Sequence, residues 1–210
     1  MRRKFGTLLP AEEKLFRAAQ EGKGASALTG DEKEDNPANA AKWNVDRVVR
    51  AESITWLCTD PQSSAPVTYR GLTLGGMRID ADLDLQDAEF KFSLTAYKCL
   101  FSGNILLRNA RLRGLYLVGC LTKNLNAEGA RIAGPVFLRN GFKAEGEVKL
   151  FGATIGGNLQ CENVQLLNAK SHALTATGAK IAGIVDLRAG FKAEGIVDLR
   201  LVQAAALSDD

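Results

Sequence analysis

Residues 129–150 read GARIAGPVFLRNGFKAEGEVKL, and residues 178–199 read GAKIAGIVDLRAGFKAEGIVDL. A line written twice is the signature of a repeat architecture, so its period comes before any site. Inside the line, apolar residues stand in pairs separated by one residue: Ala130/Ile132, Val136/Leu138, Phe142/Ala144 and Val148/Leu150. Residues i and i+2 point to the same side of an extended backbone. A turn after every five or six residues keeps each pair aimed at the axis of a coil. An α-helix would need spacings of three and four, which the line lacks.

Outward from the doubled line, the same pairing runs from Leu72/Leu74 to Val197/Leu199. Taking every fourth pair aligns Ala88, Ala110, Ala130 and Ala153, with Phe90, Leu112, Ile132 and Ile155 as their partners. Stacked coils need ladders of matched size, because each side chain packs on its equivalent one coil away. Four sides per coil fit best. The pairs fill about six coils, a rod roughly 30 Å long at the spacing of paired strands. Counting pairs puts the two copies of the line nine sides apart, on different faces.

Residues 1–66 have another texture. LPAEEKLFRAAQEGKG predicts a helix, with Pro10 in its first turn, Glu12 and Glu13 at the positive end of its dipole, and Gly22 as the stop. Leu15, Phe16 and Ala19 form its apolar stripe. The polar stretch 25–41 reads as a mobile loop. A second helix is expected over 45–58, with Asn44 as N-cap, Asp60-Pro61 as the stop, and Val45, Val48, Val49, Trp56 and Leu57 on its buried side. PQSSAP reads as a linker. The organisation is thus a helical module (1–66), a coil domain (67–200) and a tail or cap (201–210).

The chain has 210 residues, 46% of them apolar, and a net charge of +3. That balance, with no recognition helix or aromatic interleaving of basic residues, argues against a nucleic-acid partner. No stretch has the apolar length of a membrane span, and Pro10 with its charged followers interrupts any secretory signal. Cys58, Cys99, Cys120 and Cys161 stand far apart with no CxxC pair, which points to reduced thiols and a cytoplasmic setting.

Inward pairs, small then large, near a five-residue period resemble the pentapeptide-repeat family. The carriers are Ala110-Arg111-Leu112, Ala130-Arg131-Ile132, Ala153-Thr154-Ile155 and Ala179-Lys180-Ile181. The resemblance covers roughly residues 70–200 and implies a mainly β fold, a right-handed quadrilateral β-helix. Asp or Asn seldom holds the middle position here, and many sides carry six residues. The whole chain, including RAESITWLCTDP before RGLTLGGMRIDADLDL, is also similar to bacterial proteins labelled membrane-associated oxidoreductases. That label implies an enzyme, but the sequence holds no dinucleotide fingerprint and no flavin or haem motif. Some pentapeptide-repeat proteins protect topoisomerases by imitating DNA. That second reading would require a continuous negative side.

Candidate chemistry is sparse. His172 is the single histidine and falls beside the inward pair Ala169/Ser171, at a corner. Cys99 and Cys120 occupy equivalent inward positions on neighbouring coils, as packed thiols or, less favoured, a disulfide. Asp80, Asp82, Asp84, Asp87 and Glu89 form a charged edge without the EF-hand spacing. Neither a metal nor a cofactor is expected. Basic residues gather in the middle coils, with Arg111 and Arg131 neighbours on one side and Arg113 beside them. Leu100, Leu106, Tyr116, Leu121 and Phe137 fall between inward residues and so point outward; outward apolar residues mark contact surfaces or sites covered by the N-terminal helices. The expectation is a non-catalytic module that offers a rigid surface to a protein partner, with a homodimer through an end or an apolar side as a further option.

Overall fold

The computed structural model describes residues 6–61 and 67–209. Most of PQSSAP lies outside them. The chain from Leu72 onward winds as a parallel β-solenoid of about six coils. Its first face stacks Leu72, Leu94, Leu115, Val136, Leu159, Val185 and Leu207 in strict register. The second face stacks Arg78, Leu100, Leu121, Lys143, Gln165 and Lys192 in its backbone ladder, through the neighbouring pair Ile79–Phe101 as well. The third runs Leu83, Ile105, Leu125, Val148, Leu174 and Val197. The fourth runs Leu112, Ile132, Ile155 and Ile181. Ala110, Ala130 and Ala153 are linked up this fourth face by the amides of Arg131, Thr154 and Lys180, as a four-sided tube requires.

Two of the four corners turn through residues with positive φ, one or more in each coil. Between the third and fourth faces they are Asp87, Asn109, Gly129, Gly152, Gly178 and Leu201. Between the first and second they include Gly76, Lys98, Gly119, Asn140, Asn163 and Ala189. Gly, Asn and Asp tolerate this left-handed region best, which explains why they hold most of these corners, spaced about two sides apart along the chain. A third corner is tied by a polar ladder. The Asn104 backbone and side-chain amides both donate to Asp82 Oδ1, Asn124 Nδ2 donates to Asn104 Oδ1, and the Glu147 amide donates to Asn124 Oδ1.

The doubled line needs a correction. Its copies put Ile132 and Ile181 on the same face, two coils apart, with Ile155 between them. They are eight sides apart. Ala169 and Ser171 are exposed and form no inward pair. They belong to a corner insertion within the strand Gln165–Thr175, where the register to the next coil jumps from Leu167↔Glu194 to His172↔Ile196. His172 sits at the end of this bulge, and Asn168 Nδ2 closes it by donating to the His172 carbonyl. Gly195 faces the bulge with φ 130°; a Cβ there would stand 2.3 Å from the Asn168 carbonyl oxygen.

The N-terminal segment is built onto the tube. Helix α1 (Pro10–Glu21) forms as expected and stops at Gly22, in the left-handed region at φ 66°. Ala25–Ser26 then adds a parallel strand to the first face, against Leu74–Gly75. The stretch expected as a mobile loop is organised around Asp35, which is buried and accepts from the Thr29 and Gly30 amides and from Arg47 Nη2. Where a single helix was expected over 45–58, there is a 3-10 turn at Val45–Arg47, a strand at Val48–Arg50, and helix α2 at Ala51–Thr59. Asn44 does cap, but it caps the 3-10 turn, accepting from the Asp46 amide. Val48–Arg50 extends the second face, parallel to Arg78–Asp80. The β-branched Val48-Val49 step suits a strand, and its backbone groups find partners there that water would otherwise supply. Val45, expected inside, is exposed.

These strands and helices form a partial coil before the first. Ala11, Leu15, Phe16 and Ala19 of α1 and Ile54 and Leu57 of α2 are buried in the same core as Leu72, Met77 and Leu83. The helices thus cap the end of the tube. At the other end, residues 201–209 stay in the coil: Gln203 bridges to Lys180, and Ala206–Asp209 pairs with Ile184–Leu187.

Candidate interaction surface

Alternation decides what each face shows to water. On the first face the outward row reads Thr73, Thr95, Tyr116, Phe137, Gln160, Asp186 and Ser208. Tyr116 and Phe137 are registered neighbours with ring centroids 5.2 Å apart in an edge-to-face arrangement. The Arg139 guanidinium lies 4.5 Å from the Phe137 ring centroid, and its Nη1 reaches Gln160 Oε1 at 3.4 Å. Gly114 makes room for the Tyr116 ring, since a Cβ there would stand 2.8 Å from it. The next outward row adds Tyr97 and Val118, registered to each other and half-buried to exposed.

Around the corner, Leu100 and Leu121 are registered neighbours on the second face, both half-buried. Lys143 follows them one coil on. The 3-10 helix Pro37–Lys42 packs beside Leu100–Phe101. The N-terminal segment therefore covers the start of the second face, and its strand on the first face, Ala25–Ser26, pairs with Leu74–Gly75, two coils before Tyr116. The strip Tyr97, Val118, Tyr116, Phe137 on one face and Leu100, Leu121 on the next flanks a single corner. Leu106 does not join it; its register partners Asp84 and Asn126 lie on the third face.

The basic residues separate as well. Arg111 and Arg131 are exposed and registered on the fourth face, with Glu89 before them and Thr154, Lys180 and Gln203 after them. Arg113 is exposed at the corner leading to Gly114, between the basic row and the aromatic pair. The fourth face is opposite the second, so Arg111 and Arg131 form no joint patch with Leu100 and Leu121.

The acidic edge is dispersed into structural roles. Asp80 pairs with Arg78 at 2.9 Å, Asp82 anchors the polar corner ladder, Asp84 accepts from the Gln86 amide, and Asp87 accepts from Asn109 Nδ2. Cys99 and Cys120 are free, buried thiols, as are Cys58 and Cys161. Cys120 Sγ reaches the Ala96 carbonyl at 3.3 Å. Burial holds its thiol well above the ordinary value, with the Cys99 side chain adding to the shift, and pushes Cys161 up to about 12. Such thiols are poor nucleophiles.

Sequence reading missed the N-terminal polar network. Glu12, fully buried, accepts from Arg50 Nη2 at 2.6 Å and Nε at 2.8 Å, from Ser53 Oγ at 2.8 Å and from the Leu9 amide at 2.9 Å. Burial raises its pKa, but the Arg50, Leu9 and Ser53 hydrogen bonds outweigh it, and the net shift is downward. A groove of about 560 Å³ beside Trp43 and Arg47 is also lined by Lys33, Glu34 and Lys42. Its Arg47 is bound to Asp35, Gly76 and Glu34, and the Trp43 indole donates to the Glu34 carbonyl.

The architecture is that of a capped, four-sided parallel β-solenoid. No family model, no curated protein and no solved structure matches the chain. Among the described residues, no helix is long and apolar enough to cross a membrane.

Proposed function

We propose that the chain is a pentapeptide-repeat-like solenoid that works without catalysis, as a rigid surface for a protein partner in a reducing, cytoplasmic compartment. The observation that carries this reading is the outward strip Tyr97, Tyr116, Val118 and Phe137 with Arg139 over the Phe137 ring. Aromatic residues and Arg dominate the binding energy of protein interfaces, and they do so best on a scaffold that loses little entropy on binding. Register fixes these side chains one coil apart, so the surface is pre-organised. Arg113, Arg111 and Arg131 extend it with positive charge, which favours an acidic rim on the partner. The four buried thiols suit a reducing compartment.

The fourth-face row, with Arg111, Arg131 and Lys180 in it, does not present the continuous negative side that imitation of DNA would need.

The test is capture from the native cell, followed by titration calorimetry with the purified partner. Phe137→Glu should weaken binding at least tenfold while the circular dichroism spectrum is unchanged. The double variant Arg111→Glu/Arg131→Glu should weaken it less and remove its salt dependence. Unaltered affinity of Phe137→Glu would refute the aromatic strip as the contact.

A further inference from the structure

On the first face the outward side chains stand in two rows that run along the tube axis. One carries Thr95, Tyr116 and Phe137; the other, two residues further along each strand, carries Tyr97, Val118 and Arg139. Arg139 is the anomalous member. Its Nε is buried without a hydrogen-bond partner, its Nη1 reaches only Gln160 Oε1 at 3.4 Å, and its Nη2 has no partner among the described residues. What holds the guanidinium is the Phe137 ring, whose centroid lies 4.5 Å from Cζ. A buried N–H left unpaired costs free energy, so hydrogen bonds within the chain do not explain this orientation. The open Nη edge of a stacked guanidinium is a fork for a carboxylate. No acid among the described residues forms an ion pair with it: Glu162 stands one coil beyond, and Asp186 is bound to Arg188 at 2.8 Å. Further cations border the rows, with Arg113 and Arg131 exposed on the fourth-face side and Lys143 half-buried on the second-face side.

We propose that this face receives an amphipathic α-helix of the protein partner, laid along the tube axis, with carboxylates on both borders of its apolar stripe and one of them held by Arg139. The inference rests on the reading above and names the partner's chemistry. Spacing selects the helix. Successive coils repeat the rows every ~4.8 Å. One helical turn rises about 5.4 Å, so apolar residues at i, i+4 and i+7 fall in turn on Thr95/Tyr97, Tyr116/Val118 and Phe137/Arg139. A strand laid the same way repeats its same-side residues every ~6.7 Å and is out of step by the second coil. It would also gain no backbone hydrogen bonds, because the strands carrying these residues are each paired on both sides. Charge selects the acidic borders, since cations flank the strip on both sides.

Fluorescence anisotropy on the full chain tests this with three labelled peptides, each about four helical turns in length. The first is an Ala-based helix with Leu at i, i+4 and i+7 and Glu on both borders of that stripe. The second has Gln in place of every Glu, and the third carries prolines that prevent a helix. The chain should bind the Glu helix about fivefold more tightly than either of the others. Arg139→Gln should remove most of the preference for Glu over Gln, and Phe137→Glu should abolish binding; circular dichroism verifies that both variants fold. Equal binding of the Glu and Gln helices, equal binding of the proline peptide, or binding of none of the three overturns the proposal. So does a Glu preference undiminished in Arg139→Gln. A native partner weakened by Phe137→Glu but seated through a segment that is not helical would overturn the helix and leave the aromatic strip standing.

Discussion

The two ends of the tube are made of the same coil and are finished differently. At the first coil, Leu72, Met77 and Leu83 are fully buried because two helices and two short strands lie over them. At the last coil, Val197 and Leu207 occupy the same kind of position and stand in solvent. The contrast teaches where stability in a solenoid comes from. Each coil buries its neighbour's core, so burial belongs to the stack and not to the coil. An end is stable only to the degree that something other than a coil closes it.

The contrast can be broken most severely at the cap. Leu15→Ala removes a buried α1 side chain that sits on the first coil and should cost about 3 kcal/mol. Leu207→Ala, at the bare end, should cost the monomer less than about 1 kcal/mol. Urea denaturation of dilute protein measures both. Equal losses would mean that the ends are not different after all.

Glu12→Gln comes next, with an expected loss of about 2–3 kcal/mol at neutral pH, because Arg50 would lose its charged partner while its chain stays partly buried. The pKa of Glu12 is lowered in the folded protein. Its contribution is therefore complete above the ordinary carboxylate value of 4.5 and is lost as pH falls through the lowered folded value. Urea midpoints of wild type and Glu12→Gln should converge as pH falls from 6 to about 3. A gap that stays constant would show that the charge of Glu12 is not what secures the cap.

The smallest effect has the opposite sign. Leu201 holds a left-handed corner at φ 58° where earlier coils place Asp, Asn or Gly. Leu201→Asn should stabilise the bare end by up to about 1 kcal/mol, seen as a higher melting temperature of the dilute protein.

How far the sequence could be read follows the same division. The tube was legible because inward pairs such as Ala130/Ile132 recur without interruption, and their alternation also marked Tyr116 and Phe137 as outward. The cap was legible only in α1; its strands are two or three residues long, and Val48-Val49 fits a helical stripe as well as an edge strand. Ala169/Ser171 imitated an inward pair, so one corner bulge shifted the count of sides by one. That error moved the second copy of the doubled line to the wrong face. The candidate surface was legible residue by residue but not as a grouping. Which outward residues share a face depends on the register, and Leu106 falls on a different face from Leu100 and Tyr116 for that reason.

Hydrogen exchange followed by mass spectrometry, on dilute protein, tests the difference between the ends most directly. In the dilute sample, amides of Ala25–Ser26 and Val48–Arg50 should exchange slowly and those of Lys192–Asp198 and Ala206–Asp209 quickly. Equal, slow exchange at both ends of the dilute chain would contradict the account, as would rapid exchange in the two N-terminal strands.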